Sequence, residues 1–377
     1  MKSILFVIPE YSHGGTNKSL ENLLSLIDKR KYDISIYCLY EDGGDYYKKV
    51  FAPYVLKKSW LYYWLHDNVC TRKFMGLYNK LTKHDHFTWL YKREAQLLEQ
   101  KRSFDVVVGY QEGTATKFVS FFSKGKKVSW IHCDYGAWRE NTRRIEDEII
   151  YKKIHSIVCV SESAKKSFCS LFPELFFKTH AIFNLLKTED IRAKSKKELT
   201  YAIDGSNICN IVSLGRLNIV KQFEKIPIIA NKVREMTDKP FRWYIIGDGS
   251  SEGDIKREIT KYGLQNIVTL TGARNNPYPF IKDANLLVCT SKSESFSYVI
   301  AEAKVLHTPV LSNDFPVAYE VVDETMGWIA NIKDMPQVLA RIIDNVDNEY
   351  DRKKAAAMNF EYSNEQVLKK IDDIFQN

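Results

Sequence analysis

An α/β protein of two doubly wound units is expected from three features of the sequence. Short apolar runs alternate with helical patterns along most of the chain, in βαβ spacing. The strand-like runs, such as Val106-Val107-Val108, lack strict alternation, as parallel strands covered on both faces do. At 377 residues, the chain exceeds what one hydrophobic core usually accommodates. Apolar residues make up 45% and charged residues 27%, with only 10 Pro and 17 Gly, which excludes disordered and low-complexity classes.

In the first series, strands are expected at 3–8, 32–40, 105–109, 127–132 and 156–160, with a helix over 16–26. The apolar stretch at residues 1–10 is too short for a signal peptide and reads as the first buried strand. Residues 57–101 break the rhythm. Trp60, Tyr62, Tyr63, Trp64, Phe74, Tyr78, Phe87, Trp89 and Tyr91 are interspersed with Lys and Arg there, and two or three helices are expected. Two readings stand for this excursion: rings that pack the helices onto the first sheet, or an interfacial surface facing anionic lipid.

A polar linker is expected around 185–205, followed by a second series with strands at 210–214, 243–246, 267–270, 286–289 and 310–311. Its helices are expected near 221–236, 252–262, 277–283, 297–306 and 335–345. Val367, Leu368, Ile371 and Phe375 then recur at helical intervals, so residues 364–375 should close the chain as an amphipathic helix.

Net charge is +8 and uneven: residues 1–190 hold 30 Lys/Arg against 22 Asp/Glu, whereas residues 191–377 hold 25 of each. A basic first half attracts anionic lipid, phosphate-rich acceptors or nucleic acid, but no nucleic-acid motif accompanies the charge. Seven scattered cysteines without a C-x-x-C pair read as reduced core residues of a cytoplasmic protein, and no run of the sequence is long and apolar enough for a spanning helix.

The residues that could do chemistry cluster at strand ends, where open α/β sheets place their ligands. Gly215 permits a tight exit from a strand, and Arg216 and Lys221 bracket the next loop, able either to grip a diphosphate or to sit in water as ordinary surface charges. Glu294 and Glu302, eight positions apart, follow another strand. Glu294 suits sugar hydroxyls and Glu302 a ribose diol, while the backbone N–H groups of Phe296, Ser297 and Tyr298 suit a phosphate. The plainer reading makes Glu302 a surface helix residue and Glu294 a cap partner. Gly14 and Gly15 let a ligand approach the backbone after the first strand, without the G-x-G-x-x-G or P-loop pattern. His132 ends a strand. It could join His13 and Asp134 as a metal ligand only if folding brings them together, and no metal is expected.

Taken together, the G-R-L-x-x-x-K segment from Gly215 to Lys221, the Ile245-Ile246-Gly247-Asp248-Gly249 turn and the Glu294/Glu302 pair resemble the GT-B glycosyltransferases of family 4, the retaining group that includes bacterial enzymes of capsule, lipopolysaccharide and wall-polymer synthesis. The resemblance implies two Rossmann-like domains facing across a cleft. Residues 1–190 would bind acceptor, 200–360 would bind the nucleotide sugar, and 361–377 would cross back to the first domain. It also implies transfer of a hexose or N-acetylhexosamine from a nucleotide diphosphate sugar, a UDP-sugar by preference, to a saccharide, glycolipid or polymer hydroxyl, with no cofactor and no metal.

By the same resemblance Arg216 and Lys221 hold the diphosphate, Glu294 the transferred sugar and Glu302 the ribose. Gly14 and Gly15 line the donor side, and His132 contacts the sugar or acceptor; Glu162 matches a recurrent first-domain segment. Ser295 and His307 stand where members commonly have glycine. Two competing functions are an epimerase of the same shape acting on UDP-sugars, and a basic nucleic-acid-binding or membrane-binding protein without catalysis. The expected location is the cytoplasm or the inner face of the cell membrane.

Overall fold

A computed structural model describes residues 1–12, 14–40, 44–67, 70–71, 73, 77, 86–142, 147–197 and 208–376. The chain divides into two compact units, Met1–Leu185 with the residues from Asn364 onward, and Leu186–Ser363.

Unit 1 is a parallel sheet of β1 (Lys2–Ile8), β2 (Tyr32–Cys38), β3 (Val106–Gly109), β4 (Lys126–Ile131), β5 (Ser156–Cys159) and β6 (Thr179–Ala181), in the order β2-β1-β3-β4-β5-β6. Ile4 of β1 stands between Ile34 and Val106, and residues 4–8 are fully buried, which explains why the apolar run does not alternate. The order reverses between β1 and β3, so the loops leaving the carboxyl ends of these two strands flank a crevice.

Helix Glu365–Gln376 packs on unit 1 through Phe375, which is fully buried. Its ring lies edge-on to Phe6 at 6.1 Å and to Tyr32 at 5.7 Å. Lys2 and Lys126 donate to main-chain carbonyls at the carboxyl end of that helix, at Gln376 (2.6 Å) and Ile374 (2.7 Å), where the helix dipole favours cations.

Residues 57–101 divide into side chains that pack in the core and side chains that face solvent. After an extended stretch, helix Trp60–Tyr62 continues as a π-helical turn, Tyr63–Asp67, and helix His86–Lys101 follows. Tyr62, Leu90, Tyr91, Ala95 and Leu98 enter the core of unit 1, whereas Trp60, Tyr63, Trp64 and Trp89 are exposed. Phe74 and Tyr78 lie outside the described residues.

Unit 2 is a second parallel sheet of β7 (Cys209–Leu214), β8 (Phe241–Ile246), β9 (Val268–Gly272), β10 (Leu286–Cys289), β11 (Val310–Asn313) and β12 (Gly327–Ala330), in the order β12-β11-β10-β7-β8-β9. This is the dinucleotide-fold order, and its switch point lies between β7 and β10. The expected linker is partly ordered: residues Thr188–Ser195 form a helix with Ile191 buried, and Asn276 donates to the Lys194 carbonyl at 2.9 Å. Residues 198–207 lie outside the described residues. The helix expected from residue 221 begins at Ile226, because Gln222 takes a left-handed conformation and a 3₁₀ turn, Phe223–Lys225, precedes it. Among the described residues no helix is long and apolar enough to cross a membrane.

Candidate functional site

The loops leaving β7 and β8 are held together backbone to backbone. Gly215 N–H donates to the Ile246 carbonyl (3.0 Å), Leu217 N–H to that of Asp248 (2.7 Å), and Ser251 N–H to that of Leu217 (2.8 Å). Gly247 and Gly249 take φ of 150° and 148°, and a Cβ on either would lie 1.9 Å from the Gly215 oxygen or 2.5 Å from the Leu217 oxygen. Side-chain-free backbone at Gly-Asp-Gly is therefore what lets the Gly215-Arg216-Leu217 turn sit where it does.

Across the switch point, the loop after β10 meets the loop after β7. The Lys221 ammonium pairs with the Glu294 carboxylate, their side chains only 21% and 15% exposed. Ser291 Oγ donates to the same Glu294 oxygen at 2.7 Å, and Thr290 Oγ1 donates to the Lys221 carbonyl at 2.7 Å. Lys292 N–H bonds the Val220 carbonyl at 2.8 Å, and Asn313 Nδ2 holds the Ser291 carbonyl at 2.9 Å. Lys221 is thus no free surface charge. Arg216 is exposed and its guanidinium makes no hydrogen bond or ion pair among the described residues, so the two basic groups are placed differently.

Helix Tyr298–Val305 begins one residue beyond Ser297, which is left-handed (φ 63°, ψ 76°) and gives no side-chain cap. Its hydroxyl is buried and has no partner among the described residues. The helix therefore presents its first turn without the usual side-chain acceptor. Phe296 is buried, edge-on to Tyr298 at 5.1 Å. Glu302 is 2% exposed and accepts a hydrogen bond from the Tyr278 hydroxyl at 3.2 Å, which overturns the surface-residue reading. His307 adopts φ 60° at the end of this helix, a conformation that favours glycine, and its Nδ1 lies 2.8 Å from the Ala357 carbonyl.

In unit 1, Gly14 is the extended N-cap residue of helix Gly15–Leu26, at the end of the loop that leaves β1. The buried Asn17 amide ties that loop down by donating to the carbonyls of Glu10 (3.0 Å) and Ser12 (2.8 Å). His132 follows β4. Its N–H donates to the buried Glu112 carboxylate at 2.9 Å, and its ring leans on Tyr110 at 5.1 Å. Nε2 is buried without a partner among the described residues, and burial pulls the imidazole down to about 3, so it is neutral near pH 7. Burial, then the Glu112 charge, pushes the neighbouring Cys133 thiol far up, which removes it as a nucleophile.

His13, named with His132 and Asp134 as a conditional metal set, lies outside the described residues, and Asp134 instead accepts from Gly136 N–H and Ser167 Oγ. Among the described residues no three His, Cys, Asp or Glu side chains are grouped to hold a metal ion. Glu162 opens helix Glu162–Leu171, where Ser161 Oγ accepts from Ala164 N–H as the cap.

Residues 205–361 match the family described as glycosyl transferases group 1. Unit 2 is a glycosyl transferases group 1 domain. An uncharacterized glycosyltransferase of Methanocaldococcus jannaschii is 28% identical over 169 residues, 44% of this chain and 41% of that protein. The poly(ribitol-phosphate) alpha-N-acetylglucosaminyltransferase of Staphylococcus aureus is 23% identical over 251 residues, 65% of this chain and 48% of that protein. The matches therefore span less than half the length of these curated relatives. The crystal structure of Anabaena HepE in complex with UDP and glucose superposes over 100% of both chains with a TM-score of 0.71 at 16% identity, and the two-sheet architecture is the GT-B fold.

Within the group 1 domain, Lys221 and Glu294 are in contact, and Arg216 shares the loop of Lys221, as Glu302 shares the helix that Ser297 opens. Residues that pattern reading missed are Ser291, Asn313 and Tyr278; the partners of Asn313 and Tyr278 lie more than twenty residues away in sequence. Ser291 alone carried a signal, standing three residues before Glu294 at the strand exit.

Proposed function

We propose that the protein is a retaining, metal-independent glycosyltransferase moving a hexose or N-acetylhexosamine from a UDP-sugar to a hydroxyl of a saccharide, glycolipid or cell-surface polymer. The observation that carries the reading is the Lys221–Glu294 pair at the switch point of unit 2. An ammonium has three N–H donors, so Lys221 keeps two for diphosphate oxygens while it holds Glu294, and the carboxylate keeps lone pairs for sugar hydroxyls. Arg216 adds an unengaged planar fork, and the helix that Ser297 opens adds partial positive charge for the same phosphates, with the N–H groups of Phe296, Ser297 and Tyr298 as donors. Glu302, held by Tyr278, accepts the ribose diol.

As the bond from the anomeric carbon to the diphosphate oxygen lengthens, that oxygen takes the proton of the acceptor hydroxyl. The hydroxyl oxygen bonds to the same face of the anomeric carbon, and configuration is retained without a protein base. The work of the site is to stabilise charge as it gathers on the leaving diphosphate. In unit 1, Gly14 and Gly15 leave the loop after β1 open to a ligand, and neutral His132 offers a hydrogen-bonding group after β4 for the acceptor.

The activity named for the staphylococcal relative and the UDP and glucose of the HepE complex support this donor and acceptor class. Seven free cysteines fit a cytoplasmic setting. The test begins with purified protein and UDP-, GDP- and ADP-sugars, read as slow hydrolysis without acceptor; UDP-sugars should be consumed fastest, with no change on adding EDTA. Arg216→Ala and Lys221→Ala should each then lower turnover by roughly 10²- to 10³-fold, as loss of one charge-stabilising donor does. Near-native rates in both folded variants would reject the diphosphate grip.

A further inference from the structure

The exposed rings of residues 60–89 are not accounted for by the donor site or by the core of unit 1. Trp60 is 75% exposed, Trp89 58%, Tyr63 55% and Trp64 45%. The Trp60 and Trp64 rings stack at 6.1 Å and 9°, presenting one broad apolar plate to solvent. Buried aromatics in this segment already fill the core, so these rings have no packing role left within it.

The plate is rigidly mounted. The Glu94 carboxylate, 1% exposed on helix His86–Lys101, accepts from the Ser59 N–H at 2.9 Å, the Ser59 hydroxyl and the Tyr37 hydroxyl, and Ser59 Oγ in turn accepts from Tyr62 N–H. The extended residues before it run parallel to β2: Val55 bridges Ile36, and the Lys58 ammonium reaches the Leu39 carbonyl at 3.1 Å. The aromatic turn therefore emerges at the carboxyl end of β2, the same sheet end from which the Gly14 loop and His132 leave their strands.

The segment's sequence is one-sided in charge. Residues 57–93 contain eight Lys/Arg and two Asp/Glu, a net of +6 in a chain whose total is +8. Lys57 and Lys92 are exposed, and Lys92 shares a helix face with Trp89. Indole rings beside ammonium groups fit the boundary of a bilayer, where the rings enter the headgroup region and the cations meet anionic headgroups. A nucleic acid would be served by the charge, but no nucleic-acid motif accompanies it in the sequence.

We propose that the Trp60–Trp64 plate with its lysines docks unit 1 on an anionic lipid bilayer. Docking there would put the carboxyl edge of the first sheet beside the membrane, within reach of an acceptor carried on a lipid. The inference does not depend on the proposed transfer reaction.

The full chain is sedimented with vesicles of phosphatidylcholine alone and of phosphatidylcholine with phosphatidylglycerol, at about 0.15 M salt, where the Debye length is roughly 8 Å. Binding to the anionic vesicles only is expected. It should weaken at least about tenfold in Trp60→Ser/Trp64→Ser and, separately, in Lys57→Glu/Lys92→Glu. Melting temperature and donor hydrolysis should be unchanged in both. Equal sedimentation of wild type and both variants would overturn the proposal. So would binding to single-stranded nucleic acid but not to vesicles, or a wild-type dimer that the tryptophan variant abolishes with no lipid binding in either.

Discussion

Single glycines and one histidine set measurable limits on this molecule. Gly247 combines φ 150° with a 1.9 Å conflict for any Cβ, so Gly247→Ala should destabilise unit 2 by about 2 kcal/mol or more, seen as a lower denaturant midpoint. Gly263, left-handed at φ 62° but with nothing within 4 Å of a Cβ, should lose only about 1 kcal/mol on the same change. An equal loss at both would mean that backbone strain, not the contact with Gly215, dominates. His132 titrates lower in the folded protein than unfolded, so the unfolded chain binds the extra proton as pH falls. Its contribution is present above about 6.5 and drains away toward pH 3. Denaturation midpoints in His132→Gln should show a shallower acid decline over that window; His155 and His180, also lowered by burial, leave a remainder of the same sign. The sequence made Glu294, Glu302, Arg216 and Lys221 legible because strand exits and spacing are local signals. The Glu302–Tyr278 bond and the Glu112 contact to His132 were not, since each depends on two segments that only folding brings together.

Helices and strands were read most securely where a pattern was long or fully apolar. Residues 364–375 carried a clear period, and the resulting helix buries Ile371, Ile374 and Phe375. Phe375→Ala should cost about 3–5 kcal/mol, confined to unit 1, because the ring leaves a hole among Phe6, Tyr32 and Trp130. Separate unfolding transitions, followed by hydrogen exchange within each unit, would show that confinement; a loss shared by unit 2 would contradict it. Strands β6 and β12 escaped the sequence because each is three or four residues long at a sheet edge, one carrying His180 and the other opening on Gly327. Too few side chains alternate or cluster there to make a pattern. Helix Glu349–Met358 escaped for a different reason: Ala357 is its one buried residue, so most of its surface is polar and has no apolar stripe to read.

Over the whole chain, two sheets of six strands share a parallel design but not an order, and the positions of both order reversals follow from which crossover returns to the first strand of each unit. That topology could not be read from the run of elements alone, because the same βα alternation serves either order. If the donor binds at the unit 2 crevice, a UDP-sugar at a hundred times its dissociation constant should stabilise that unit by about 2.7 kcal/mol, raising its melting temperature while unit 1 shifts less. Calorimetry with and without ligand reads this directly. The first unit also takes its closing helix from residues that follow all of the second in sequence. During synthesis, then, the slot lined by Phe6, Tyr32 and Trp130 stays open while nearly two hundred further residues leave the ribosome, on the order of 10–40 s at common elongation rates. The unit translated first is the last to be completed, and a nascent chain stalled before residue 364 would expose that aromatic slot to chaperones.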